Sequence, residues 1–137
     1  MSPTRISNDL RQAVRDRAGR RCEYCLLGEG HGFLPHEPDH IIAEKHGGPA
    51  SFENLALACF QCNRFKGSDI ASIDTDTGTL VPLFNPRTEE WREHFALKLG
   101  KIIPLSGRGR VTVKLLRLNR PERVEVRNTL VDLGQYP

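Results

Sequence analysis

The chain has no run approaching the roughly 18 uninterrupted apolar residues of a membrane span, and its first nine residues, Met1 to Asp9, hold no apolar core of an export signal. Those absences argue against a membrane protein and lead us to expect a cytoplasmic one. A hydrophobe-poor composition is missing too: 38% of residues are hydrophobic and 27% charged, so the chain folds rather than staying disordered. At 137 residues it lies close to the roughly 150 of one domain, and the reading is a single domain over 1–137. No motif is duplicated, and no cysteine falls outside two C-x2-C pairs.

The net charge of +3 is too small to name a partner, but the charges are segregated. Residues 1–21 carry +4, residues 98–127 carry +7, and residues 22–97 between them carry −7. An acidic centre between basic flanks suits a cation site gripped by phosphate-binding arms, although ordinary solvated faces would give the same sums.

The cysteines are the sharpest signal. Cys22 and Cys25 are followed, after 33 residues, by Cys59 and Cys62. Two residues between thiolates let a tight knuckle turn both sulfurs toward one ion, and two knuckles complete the closed tetrahedral shell of a structural Zn2+. Disulfides would need an oxidising compartment, and a redox pair would need only one such motif.

Around the knuckles, Ser7 caps an expected helix from Asn8 to Ala18, with Gly19 as its stop. Residues 26–37 read as a loop, 39–42 and 55–58 as short strands joined through a turn at 45–49, and 59–66 as a short helix ended by Gly67. Beyond it, 79–84 reads as a strand, Asn85 to Phe95 as a helix capped by Thr88, and 101–105 as a strand. Residues 107–110 read as a turn, 111–118 as helix or strand with helix preferred, and Pro121 to Leu133 as a last helix. Asp74 to Gly78 has a passing likeness to a calcium loop but lacks its distal Glu, so it reads as a turn. The fold class is α+β.

Taken in order, Cys22-x2-Cys25, Asp39-His40-Ile41-Ile42, Gly47-Gly48, Asn54-Leu55 and Cys59-x2-Cys62-Asn63-x2-Lys66-Gly67 resemble the HNH endonuclease family. The likeness spans 22–67 and implies a zinc-laced ββα-metal finger, here flanked by an N-terminal helix (1–21) and a small C-terminal α/β extension (68–137) packed on it. That extension looks like the tail of a group of small stand-alone bacterial HNH proteins. The resemblance implies an enzyme that hydrolyses phosphodiester bonds in DNA. His40 would be its general base, oriented by Asn54, with one Mg2+ or Mn2+ on Asp39 and on Asn63, which stands where the family more often has His. Asn is a weaker ligand there.

The chemistry itself asks for a base, a cation on the scissile phosphate and groups that fix geometry. An imidazole with a pKa near 6.5 suits the first role. On one extended strand, neighbours Asp39 and His40 point to opposite sides, so both serve one site only at a strand end or distortion. Arg64 and Lys66 follow on the same helix, and with Arg108 and Arg110 they are the candidates for DNA phosphates. His36 and His46 are lesser candidates beside the site. A single motif copy would need a homodimer or two successive nicks to cut both strands. The other class of reading is a non-catalytic zinc-knuckle module that only binds nucleic acid.

Overall fold

The computed structural model describes residues 5–32 and 34–137. Helix α1 (Asn8–Arg17) begins as expected, the Ser7 hydroxyl accepting the Leu10 amide at 3.1 Å, and ends ahead of Gly19 at φ 62°. Its face of Leu10, Val14 and Ala18 packs on Leu55 and Leu57.

Strands β1 (Glu37–His40) and β2 (Leu55–Ala58) pair antiparallel, Asp39 opposite Ala56 and His40 opposite Leu55. β2 lies where it was expected, and all four of its residues are buried. β1 starts and stops two residues earlier than expected, because the Asn54 side chain captures both the N–H and the C=O of Ile42 and takes it out of the ladder. Helix α2 (Phe60–Lys66) follows, its N-cap the Cys59 thiolate, which accepts the Cys62 amide at 3.4 Å, and its end at Gly67 with φ 53°. The α2 helix packs on both strands, completing a ββα unit.

The rest is built from two further hairpins and three helices. β3 (Ala71–Asp74) and β4 (Thr79–Pro82) pair across the Asp74–Gly78 turn. The sequence reading missed β3, a four-residue strand with little apolar signal of its own. The helix expected over Asn85 to Phe95 shrinks to α3 (Trp91–His94), since the Glu89 carboxylate folds back on the Asn85 amide at 2.8 Å and Phe95 opens β5 (Phe95–Lys98), paired with β6 (Lys101–Pro104).

Gly107 to Arg110 is not a turn but the start of α4 (Gly107–Leu115), with the Ser106 hydroxyl capping the Gly109 amide at 3.0 Å. Gly109 is there for close approach: a Cβ on it would meet the His94 carbonyl oxygen at 2.3 Å. Pro121 opens α5 (Pro121–Asp132) at its first turn, where the missing N–H is harmless. One buried cluster runs from Cys22, Tyr24, Ala56 and Cys62 through Phe84 and Phe95 to Ile102, Val111 and Leu116, so the finger and the extension share a core. No helix among the described residues is long and apolar enough to cross a membrane.

Candidate active site and metal centre

The two knuckles bring Cys22, Cys25, Cys59 and Cys62 together, all buried, with their sulfurs within 4.8 Å of one another and Cys25 Sγ 3.7 Å from Cys59 Sγ. A tetrahedron of about 2.3 Å Zn–S bonds has sulfurs about 3.8 Å apart, so the cage fits zinc in donor type, number and size. Each knuckle is stiffened by an amide on its own leading sulfur, Cys25 N to Cys22 at 3.5 Å and Cys62 N to Cys59 at 3.4 Å.

Two groups near the C-terminal end, neither marked in the sequence, hold this cage, and Trp91 of α3 joins them. Arg123 on α5 donates to Cys62 Sγ at 3.0 Å, and the Tyr136 hydroxyl donates to the Cys25 carbonyl at 2.7 Å. Burial works against the Arg123 charge, yet the thiolates of Cys62, Cys25 and Cys59 outweigh it and hold the guanidinium firmly protonated. The Trp91 indole N–H reaches the Tyr24 carbonyl at 2.9 Å. Nothing local marks Arg123 or Tyr136, and Arg123 is indistinguishable in sequence from its basic neighbours.

Asn54 is a staple. Its Oδ1 accepts the Ile42 amide at 3.0 Å, and its Nδ2 donates to the carbonyls of Ile42 and Pro49, both at 2.9 Å. The loop it closes is tight enough that a Cβ on Gly48 would lie 1.7 Å from the Ile42 oxygen. His40 therefore leaves β1 at its very end, immediately before a locked turn, which is the position that the opposite-facing problem of Asp39 and His40 required. His40 is half-buried, and its Nε2 is enclosed with no hydrogen-bond partner among the described residues.

Asp39 is 4% exposed and receives the Tyr24 hydroxyl on Oδ2 at 2.9 Å and the Lys66 ammonium on the same oxygen at 3.1 Å. Lys66 is itself 2% exposed and donates also to the His40 carbonyl at 2.8 Å. Burial pushes the Asp39 carboxyl above the ordinary carboxylate range, against the pull of Lys66 and Tyr24. Mg2+ or Mn2+ needs hard oxygens with open positions for water and phosphate. A carboxylate this enclosed, with an ammonium already seated on it, does not fit that requirement.

Asn63 is half-buried on α2, and Arg64 beside it is exposed. His36 is interior, its Nε2 2.8 Å from the Leu27 carbonyl oxygen, while His46 is exposed in the turn. Arg108 pairs with Glu89 at 3.2 Å, and Arg110 grips Asp74 at 2.8 Å and Asp76 at 3.3 Å. On the N-terminal side, Arg11 pairs with Glu37 and Arg15 with Glu29. Part of the charge segregation seen in the sequence is thus internal, with Arg11, Arg15, Arg108 and Arg110 folded onto the acidic centre.

Residues 22–69 match the family model of the HNH endonuclease, about a third of the chain. With the ββα unit and the four-cysteine cage on the same stretch, this segment is an HNH domain. No curated protein and no solved structure matches the chain.

Proposed function

We propose that the chain is an endonuclease hydrolysing phosphodiester bonds in DNA, with His40 as general base on a finger held by structural zinc. The observation that supports it most is the contrast within His40. Its backbone is pinned by the β1 register and by Lys66, while its Nε2 has no hydrogen-bond partner among the described residues. An unpaired buried nitrogen costs on the order of 1–3 kcal/mol, and the base reading requires that substrate entry open a path for the reacting water to it.

The imidazole accepts a proton as the water oxygen attacks phosphorus and the P–O3′ bond breaks, the departing O3′ taking a proton from solvent. Asn54 keeps the loop after His40 closed, so that the imidazole is presented in one geometry. Arg64, exposed on α2, is our DNA phosphate contact. HNH nucleases typically use a divalent ion, which, when bound, neutralises charge at the phosphate. Zinc in the cysteine cage takes no part in the step, since four thiolates leave no open position.

The test is nicking of supercoiled plasmid by the zinc-loaded protein in Mg2+ or Mn2+. Replacing His40 with Ala should lower the rate at least about a hundredfold, as expected for a positioned general base, with zinc content unchanged. Equal nicking by both proteins would overturn the reading and leave the finger as a module that only binds nucleic acid.

A further inference from the structure

We infer that Lys66 is the resident cation of the nuclease site, occupying the face of Asp39 where a divalent metal would otherwise sit, and that the Asp39–Lys66 pair positions His40 rather than binding Mg2+ or Mn2+. The inference deepens the nuclease reading of the same site and rests on it for the role of His40.

The argument starts with what a buried carboxylate requires. Removed from water, Asp39 must have a counter-charge and hydrogen-bond donors, or its ionised form is lost. Both are present. The Lys66 ammonium lies 3.1 Å from Oδ2 and 3.5 Å from Oδ1, and the Tyr24 hydroxyl adds a second donor to Oδ2 at 2.9 Å. The third contact is the informative one: the same ammonium donates to the His40 carbonyl oxygen at 2.8 Å.

One side chain from α2 therefore holds the carboxylate of residue 39 and the backbone of residue 40, fixing the end of β1 from which the His40 imidazole projects. α2 presents Lys66 this way because it follows Cys62 by four residues, so both lie on the buried face of the helix. The cage that anchors Cys62 thus sets the depth of Lys66 as well.

A dication on Asp39 would face an ammonium on the same carboxylate, and like charges this close in a site shielded from water repel strongly. It would also lack room for the waters that an octahedral ion retains, both partners being almost fully enclosed. The geometry thus makes Asp39 a positioning residue.

The experiment measures Mn2+ on the zinc-loaded full-length protein, separately from nicking. In the unmutated protein, Mg2+ is expected to leave the Asp39 side-chain carboxyl 13C NMR shift unmoved, and Mn2+ affinity read by EPR is expected to be the same within twofold in Asp39→Asn. Lys66→Ala, by removing the ammonium, should raise Mn2+ affinity at least tenfold, and the double variant Lys66→Ala/Asp39→Asn should lose that gain. Zinc content identifies any variant that fails to fold, in which case the unmutated protein alone decides. A saturable shift of the Asp39 carboxyl resonance with Mg2+, or a tenfold loss of Mn2+ affinity in Asp39→Asn, would overturn the inference. Neither result bears on whether His40 is the base, which the plasmid assay decides.

Discussion

Arg123 Nη2 lies 3.0 Å from the Sγ of Cys62, a contact between the last helix of the extension and the second knuckle of the finger. The same guanidinium donates to the carbonyls of Leu116 at 2.7 Å and Arg117 at 3.2 Å, so one buried cation ties α4, α5 and the cage together. Removing one partner of such a buried pair leaves the other uncompensated. Arg123→Ala should therefore destabilise the protein by about 3–5 kcal/mol, read from urea unfolding, and hasten zinc release to a chromogenic chelator. Unchanged release would mean that the guanidinium only fills space.

The cage itself is expected to carry the finger. Cys59→Ser removes a metal ligand and the N-cap of α2 in one change. Zinc content should fall from one per chain, and thermal unfolding should shift sharply downward, because metal-binding free energy is folding free energy in a closed site. Full zinc retention at unchanged stability would show that the two knuckles do not share one ion.

Asn54→Ala should open the loop. Three hydrogen bonds to the Ile42 and Pro49 backbone disappear together, leaving partly enclosed polar groups unmet at about 1–3 kcal/mol each. We expect plasmid nicking to fall at least tenfold while zinc stays bound. A variant as active as the unmutated protein would make the staple dispensable.

Gly48→Ala tests the same loop from the other side. The added Cβ would lie 1.7 Å from the Ile42 oxygen and 2.8 Å from Asn54 Nδ2, so the backbone has to move. Loss of nicking with retained zinc is the expected outcome, checked by metal analysis beside the plasmid assay.

Leu99 offers a change in the stabilising direction. It sits at φ 55° at the β5–β6 turn with 71% of its surface exposed, so little packing compensates a left-handed backbone. Leu99→Gly should raise stability by on the order of 0.5–1 kcal/mol in urea unfolding, the relief of strain exceeding the entropy lost by glycine. A lower urea midpoint would show that the Leu99 side chain matters more than its backbone.

The sequence by itself determined the features whose short-range signals are unambiguous, whereas the Ser106 cap on the Gly109 amide and the Glu89 contact to the Asn85 amide, equally local, were not legible in it. Spacing defined the four-cysteine cluster of Cys22, Cys25, Cys59 and Cys62 that fits zinc, because a knuckle is a matter of four consecutive residues. Periodicity and capping marked α1, β2, α2 and α5, since Ser7, Gly67 and Pro121 act within one turn of their own positions. The ordered Asp39, His40, Asn54 and Asn63 pointed to the HNH domain that the family match then placed at 22–69.

Only the tertiary structure decided which charges face water and which face one another. The basic residues at 108, 110 and 123 look alike in the chain, but Glu89, Asp74 and the Cys62 thiolate are brought to them from distant elements. The same holds at the site's centre. Asp39 reads as an available ligand until α2 lays Lys66 against it, 27 residues away in sequence. Gly109 likewise reads as a turn glycine until α4 packs on the His94 carbonyl and leaves no space for a side chain. A counter-ion or a close approach depends on what another segment of the folded chain brings near, and no pattern of neighbouring residues encodes that.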